Sequence, residues 1–392
     1  MSNIVYLFGA GINRGIQDHN GVKPPLATDL FVQALKCPRI GDDHYLEKIS
    51  SVFEYIRRYW KLDKADLKNG YFDLEACYTL LELQLAEAKE ANNQEQIYYL
   101  QDVVLKLTIL FAETLQEMEH SIHNSESFRA LGELIYSQSA DVITFNYDTL
   151  IESSIESASR VRSNIPETYK GKPHDNGDIS DEEIRYSHFN WNRPLAYGAK
   201  FDEVKLQRAG VSTYVDGERF YSAHPDGLYQ NTILKLHGSI NWFVYSGIKN
   251  YSFEADVNAV ESKKGKTVLT EGRWWFNEPA EKDGEIIEPI IITPTLYKRY
   301  SENKLISSLW LQAKVTLMNC KQLVIGGYSF PPTDFAIRKL FLEAFEIHKP
   351  QEIIVINPDT SVVATIRDLC HFDKPIIICK DLDEYIKLFQ NN

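Results

Sequence analysis

The sequence has no paired cysteines, no excess of basic residues and no long hydrophobic run. Its cysteines are scattered, odd in number and never spaced as C-x-x-C, a pattern that supports neither a disulfide framework nor a cysteine zinc site. They are Cys37, Cys77, Cys320, Cys370 and Cys379. The formal net charge of -13 disfavours a large phosphate-neutralising surface, so we expect no direct nucleic-acid binding.

Targeting and nucleotide-hydrolysis signals are missing as well. No stretch approaches the roughly 20 apolar residues that span a bilayer, and the start of the sequence carries no basic segment followed by a signal-peptide core. We therefore expect a cytoplasmic protein without membrane contact. The P-loop pattern G-x-x-x-x-G-K-[ST] is absent, so an ATPase acting with this chain must be another polypeptide.

What the sequence does contain is enough apolar material for a substantial core, at 44% hydrophobic residues in 392. From Gln322 to Phe389, apolar strands alternate with amphipathic helices. This alternation predicts an α/β fold with a doubly wound parallel sheet. We expect one domain formed by residues 1–44 and 124–392, with residues 45–123 as an inserted helical module, because leucines there recur at threes and fours.

Three polar stretches allow more than one interpretation. Residues 160–229 form a long, weakly periodic connection that is either a functional loop or small hairpins covering a site, or a plain excursion. Within it, Arg185–Arg193 either touches a ligand or packs as an ordinary loop. Residues 251–285 are either irregular or a β-hairpin, and Ile290–Ile292 is a further predicted strand. In the helical module, Glu87–Glu95 is either a solvated helix end or a partner surface.

Polar side chains follow several of the predicted strands. Asn146 and Asp148 end the apolar run that begins at Val142, and His237 follows the run from Thr232 to Leu236. Ligands of open α/β sheets bind beyond the carboxyl ends of the strands. We therefore expect Asn146, Asp148 and His237 to share a cleft, although a lone histidine is more often structural.

Glycine-rich turns follow two further strands. Gly9-Ala10-Gly11-Ile12-Asn13 comes directly after the strand Asn3–Phe8, and Gly327-Tyr328-Ser329 follows Gln322–Ile325. A strand that enters a glycine turn before a helix lets backbone N–H groups approach a diphosphate. The full G-x-G-x-x-G pattern is absent, so a bare turn explains the first segment almost as well.

Taken in order, GAG, TFNYD, LHGS, GGYSF and VINPD resemble the motifs of the sirtuin superfamily, and specifically the SIR2-like proteins of bacterial antiphage defence. The resemblance implies a sirtuin-like, Rossmann-like NAD-binding catalytic domain with a helical insert and long irregular loops. It implies that NAD is the substrate, with Asn146 and His237 catalytic. The residues it places around NAD are Gly9, Ala10, Gly11, Asn13, Asp148, Gly327, Tyr328, Ser329 and Asn357.

The sequence departs from protein-deacylating sirtuins in three ways. The two C-x-x-C pairs that bind zinc are missing, Phe145 replaces the glutamine before the motif asparagine, and the G-I-P-x-F-R continuation is absent. We therefore expect no metal and an NAD glycohydrolase rather than a deacylase. The products would be nicotinamide and linear or cyclic ADP-ribose.

The resemblance further implies an effector of abortive infection that works as a homo-oligomer. Its activator would be a separately encoded partner, such as a HerA-type ATPase or an Argonaute-related protein. Two other functions stay open from the sequence, an NAD-dependent protein deacylase and a non-catalytic sensor of NAD or ADP-ribose.

Overall fold

The computed structural model of the chain describes residues 3–18, 20–118, 125–161, 193–208, 211–223, 231–245, 264–270, 281–282, 285–295, 300, 303–331 and 334–390. Within these residues the helices are α1 (Leu30–Ala34), α2 (Asp43–Lys48), α3 (Ser50–Trp60), α4 (Lys64–Asn69), α5 (Leu74–Glu90), α6 (Gln94–Glu117), α7 (Glu126–Ser137), α8 (Leu150–Val161), α9 (Arg193–Ala196), α10 (Gly217–Ala223), α11 (Lys304–Asn319), α12 (Phe335–Ala344), α13 (Val362–Cys370) and α14 (Leu382–Gln390). The strands are β1 (Ile4–Phe8), β2 (Asp141–Thr144), β3 (Glu203–Arg208), β4 (Val211–Asp216), β5 (Ile233–Lys235), β6 (Gly238–Tyr245), β7 (Thr267–Thr270), β8 (Glu281–Lys282), β9 (Glu285–Ile291), β10 (Gln322–Gly326), β11 (Glu352–Ile356) and β12 (Ile377–Cys379).

A six-stranded parallel sheet forms the centre of the predicted domain, in the order β12-β11-β10-β1-β2-β5. Numbered 1 to 6 along the chain and read from β5 to β12, these strands have the order 3-2-1-4-5-6, which is that of Rossmann folds. The order reverses between β1 and β10, and a crevice opens at such a reversal. The predicted α/β class with a doubly wound, Rossmann-like parallel sheet is confirmed.

Burial explains why short apolar runs form this sheet. All four residues of β2 and all three of β5 are buried, and only the first residue of β1, β10 and β11 is partly exposed. Strands covered by helices on both faces must be apolar on both faces, so they appear in the sequence as continuous rather than alternating runs.

A second sheet has six strands, in the order β4-β3-β7-β6-β9-β8, and was not predicted as a sheet from the sequence. The predicted strand Ile290–Ile292 overlaps its strand β9. Its central strand β6 begins at Gly238, the residue after His237. Along β6, Trp242 joins the core of the parallel sheet, whereas Phe243 and Tyr245 join a second core with the helices of the module. The second sheet therefore lies between the two cores, which is why β6 is apolar on both faces.

The helical module takes its shape from capped, amphipathic helices. The Asp73 side chain accepts a hydrogen bond from Ala76 N–H at the start of α5, and Asn93 does the same for Gln96 at the start of α6. The two helices pack against each other. The stretch Glu87–Glu95 forms the end of α5 and the turn into α6, and its side chains other than Ala88 are exposed. The predicted module boundaries at residues 45 and 123 stay a prediction.

Part of the predicted loop falls outside the described residues. Residues 162–192 are not among them, so the proposed ligand contact of Arg185–Asn192 has no structural counterpart here. Arg193, the end of that stretch, pairs with Glu156 at 3.0 Å. No helix within the described part of the chain is long and apolar enough to cross a membrane.

Candidate active site at the carboxyl edge of the parallel sheet

The loops that follow β1 and β10 lie against each other at the reversal of strand order. Gly9 N–H donates to the Gly326 carbonyl at 3.0 Å, and Gly11 N–H donates to the Gly327 carbonyl at 2.9 Å. A Cβ atom on Gly11 would lie 2.7 Å from the Gly327 oxygen, and one on Gly327 would lie 1.9 Å from Ile12 N. Gly327 also has a φ of +62°, which favours glycine. The glycines are thus required for loop packing, whether or not a diphosphate binds.

A buried hydrogen bond joins the first loop to the segment after β2. Asn13 lies in a 3-10 helix, Ala10–Gly15, and its Nδ2 donates to Asp148 Oδ2 at 2.8 Å. The other carboxylate oxygen, Asp148 Oδ1, accepts from Leu150 N–H at 3.1 Å in the first turn of α8. Asn13 and Asp148 are 2% and 5% exposed. Asp148 therefore anchors both the 3-10 helix and the start of α8. Ala10, at the start of the 3-10 helix, is exposed.

Asn146 has its backbone fixed and a side-chain oxygen unused. Its N–H donates to Thr144 Oγ1 at 3.0 Å. The side chain is buried, and Oδ1 has no hydrogen-bond partner among the described residues. A buried amide oxygen without a partner loses roughly 1–3 kcal/mol relative to a satisfied one. Asn146 is thus equipped to accept a hydrogen bond from a ligand or an ordered water.

His237 lies in a ring of aromatic side chains. Its imidazole centroid is 5.1 Å from that of Phe145, 5.7 Å from Tyr147 and 6.1 Å from Tyr300, to which it is nearly parallel. The backbone at Ile292 fixes two of these residues. Ile292 N–H donates to the His237 carbonyl at 2.8 Å, and Tyr147 OH donates to the Ile292 carbonyl at 2.7 Å. Burial raises the pKa of Tyr147 well above its usual value, so this phenol stays a donor.

The loop after β10 completes the edge. Tyr328 stacks on Phe145 at 4.6 Å, and its hydroxyl donates to Asp334 Oδ2 at 2.7 Å. Burial is the main reason that the pKa of Tyr328 is raised. Asn357, which follows β11, donates from Nδ2 to the Tyr328 carbonyl at 3.3 Å. Ser329 is exposed at the tip of the loop.

The residues predicted for the site therefore follow β1, β2, β5, β10 and β11 at one edge of the sheet. Several groups there carried no predicted role, Tyr147 and Tyr300 around His237 among them. Trp310 of α11 packs on Tyr300 at 4.4 Å and donates from Nε1 to the Leu236 carbonyl at 3.0 Å. Lys235 and Glu152 form a fully buried ion pair. The sequence feature that could have indicated this pair is Lys235, a single lysine inside an otherwise apolar strand.

No three His, Cys, Asp or Glu side chains are grouped to hold a metal ion in the part of the chain that the structure describes. The described side chains at this edge supply an amide, an imidazole, a carboxylate and several phenols.

No protein-family model and no curated protein matches the sequence. Among solved structures, the chain is similar to a crystal structure of a Sir2 homolog–NAD complex. The TM-score is 0.40 at 12% identity, over 100% of this chain and 91% of that chain. It is also similar to a structure reported on the mechanism and regulation of Sir2 enzymes, with a TM-score of 0.34, 12% identity, and 100% and 94% coverage.

Proposed function

We propose that the protein cleaves the bond between nicotinamide and ribose in NAD+, releasing nicotinamide and ADP-ribose. The observation that carries the proposal is Asn146, a buried amide whose oxygen has no partner among the described residues. It lies beyond the carboxyl end of β2 in a sheet with Rossmann strand order, where dinucleotides bind. The motif resemblance supports NAD as the dinucleotide.

The chemistry suits an amide and an imidazole. The nicotinamide ring of NAD+ is positively charged, so it leaves as a neutral base when the N-glycosidic electron pair moves onto the ring nitrogen. The transition state resembles an oxocarbenium ion, and no acid is needed for the leaving group. In this proposal Asn146 orients the attacking water or a ribose hydroxyl, and His237 takes the proton from the water as it bonds to C1′.

Asp148 has a more internal part than the motif resemblance alone implies. Its two carboxylate oxygens accept from Asn13 and from Leu150 N–H. The carboxylate would lie at the carboxamide and ribose side of NAD, and it would hold Asn13 in place. Gly9, Gly11, Gly327 and Asn357 would line the diphosphate and adenosine side.

Incubation of the full chain with NAD+, followed by chromatography of the products, tests the proposal. Wild type should release nicotinamide. His237→Ala should lower turnover by about 10²–10⁴-fold, the range expected for loss of a positioned proton-transfer group. Asn146→Ala should lower it by on the order of 10²-fold, because it removes the group that orients the attacking water. His348→Ala serves as the matched control because His348 is exposed, and it should behave as wild type. Undiminished turnover in both site variants would remove these residues from the mechanism.

The same assay separates the two other functions. NAD consumption that requires an acylated peptide would indicate a deacylase, which must build its acyl channel without the cysteine zinc module. Tight binding of NAD or ADP-ribose without turnover, in the presence of every candidate activator, would indicate a sensor.

Regulation forms part of the proposal, because unrestrained NAD hydrolysis is lethal to a host cell. From the motif resemblance we infer a gated effector of antiphage defence that assembles as a homo-oligomer and responds to a separately encoded partner. The candidate partners are a HerA-type ATPase and an Argonaute-related protein. Light scattering gives the oligomeric state, and the NAD assay repeated with each partner measures the gating.

A further inference from the structure

A buried ion pair lies directly beneath the proposed catalytic residues. Lys235 ends β5, and its Nζ is 2.8 Å from Glu152 Oε1 on α8. Both side chains are 0% exposed. The same ammonium group donates to the backbone carbonyl of Asp148. Lys235 thus contacts the segment that carries Asn146, from the strand that leads into His237.

Stability does not explain a pair in this position. Taking two charges out of water costs about as much as their attraction returns, and apolar residues of similar volume often stabilise a fold equally well or better. An ion pair held in a core at no net gain in stability is better explained by what it positions. That explanation requires a specific group that the pair holds in place, and the Asp148 carbonyl, which accepts from Lys235, is such a group.

Other contacts show that the segment from Phe145 to Asp148 is held residue by residue. Phe145 N–H donates to the Phe8 carbonyl at 3.0 Å, and Ile240 N–H donates to the Tyr147 carbonyl at 3.0 Å. These are backbone bonds between neutral groups. The Lys235 ammonium supplies a charge-assisted bond to the last carbonyl, and such bonds are stronger and shorter than neutral ones.

The pair also connects this segment to the second sheet. Tyr197 OH donates to Glu152 Oε1 at 3.0 Å, and Asn241 Nδ2 donates to Tyr197 OH at 3.2 Å. Asn241 belongs to β6, which starts immediately after His237. Burial raises the pKa of Tyr197 well above its usual value, so its hydroxyl remains a donor to the Glu152 carboxylate. Both sides of the proposed site are therefore attached to one buried polar network.

We infer that Lys235 is a positioning residue for the proposed reaction, with Glu152 as its buried counter-ion. It fixes the Asp148 carbonyl, and through it the position of Asn146 relative to His237. The inference rests on the proposed function for its consequence in turnover, but the positioning itself is measurable without turnover.

The decisive variant removes both charges together, because Lys235→Met alone would leave Glu152 buried without its cation. In Lys235→Met/Glu152→Gln the new amide oxygen can still accept from Tyr197. The matched control is Lys314→Met/Glu343→Gln, the same two changes at a pair with the same 2.8 Å separation but side chains 33% and 40% exposed.

Two measurements are made on each folded variant, nicotinamide release and hydrogen exchange of the amides of residues 145–150. The expected result for the buried pair is a kcat at least tenfold lower, a KM for NAD+ within threefold of wild type, and exchange at least tenfold faster. The control should match wild type in all three. A change of stability alone would not lower kcat while leaving KM unchanged. It would also not speed hydrogen exchange in residues 145–150 alone.

Each other outcome overturns one proposal or the other. Wild-type kcat and wild-type exchange in the folded double variant would overturn the positioning role. An inactive wild type would overturn the proposed function, and the exchange measurement would still decide the role of Lys235. If the first double variant does not fold, Lys235→Met/Glu152→Met takes its place. Failure of both to fold would make the pair a requirement of stability and so contradict the inference.

Discussion

Asn13 and Asp148 are 135 positions apart in the chain, yet their side chains meet in a buried hydrogen bond of 2.8 Å. Asn13→Asp changes the donor into a second carboxyl group with almost no change of shape. Two buried carboxylates this close cannot both ionise without a large cost, so the folded variant holds a proton that the unfolded chain releases. The stability of Asn13→Asp relative to wild type should therefore fall as pH rises from 5 to 8, and recover on acidification.

The matched variant Asn13→Ala removes the bond without adding charge. It should lose about 1.5–3 kcal/mol, the usual worth of a hydrogen bond to a charged group, at every pH in that range. Urea unfolding of wild type and both variants at pH 5, 6, 7 and 8 measures the difference. If Asn13→Asp and wild type keep a constant separation across this range, the two side chains are not in contact in solution.

Among the elements, the strands of the parallel sheet were predictable, whereas the second sheet was not predictable as a sheet, although a strand at Ile290–Ile292 was predicted and overlaps β9. β1, β2, β10 and β11 are short, continuous apolar runs because helices bury both of their faces. In the part of β3 whose side chains are described, the buried Val204 and Leu206 alternate with Glu203 and Lys205. This alternation is too short to separate from a loop. β6 is strongly apolar, but it follows β5 after only two residues, which makes its start hard to recognise in the sequence.

The backbone at Gly238 makes that change of direction possible. Its φ is +83°, and a Cβ there would lie 2.0 Å from the Ile290 carbonyl oxygen of β9. Gly265 has almost the same φ, +84°, with no atom within 4 Å of its Cβ position. Gly265→Ala should thus lose about 1–2 kcal/mol from left-handed strain alone. Gly238→Ala should lose about 1–3 kcal/mol more from the steric overlap, and it should also lower NAD turnover because it displaces the strand beside His237.

Thermal unfolding and the NAD assay on both glycine variants check this prediction. Equal losses of stability in Gly238→Ala and Gly265→Ala would mean that β9 does not approach Gly238 as closely as described. Equal turnover in the two folded variants would show that a shift of β6 does not affect His237.

At the scale of the whole molecule, the sequence was most informative about which strand ends meet, and least about what lies beneath them. That the strands before Asn146, His237 and Gly327 end at one edge was predictable, because parallel strands of one sheet bring their carboxyl ends to the same edge. The Lys235–Glu152 pair and the group of aromatic side chains around His237 were not predictable. They join residues that lie far apart in the chain at no regular spacing. Their placement depends on how the helices and the second sheet pack on the parallel sheet.

The same packing buries every cysteine of the chain and so couples its stability to alkaline pH. Burial raises the thiol pKa of Cys37, Cys77 and Cys320 from 9.0 to about 12. The folded state therefore keeps these thiols protonated where the unfolded chain ionises them. Their stabilising effect is complete below pH 9 and is lost as pH rises from 9 towards 12, at about 1.4 kcal/mol per pH unit for each group.

Cys77→Ala isolates one of these groups, because Cys77 is 0% exposed in the core of the helical module. Urea unfolding between pH 8 and pH 10.5 should show the free energy of unfolding falling above pH 9 in both wild type and Cys77→Ala. The fall with pH should be less steep in Cys77→Ala, because one fewer thiol releases a proton on unfolding. The thiols of folded wild type should also react slowly with a thiol reagent at pH 8, and all five should react at once in denaturant. An unchanged alkaline slope in Cys77→Ala, or fast reaction in the folded state, would mean that the helical core opens to solvent and does not shield its thiols as the packing of α5 and α6 requires.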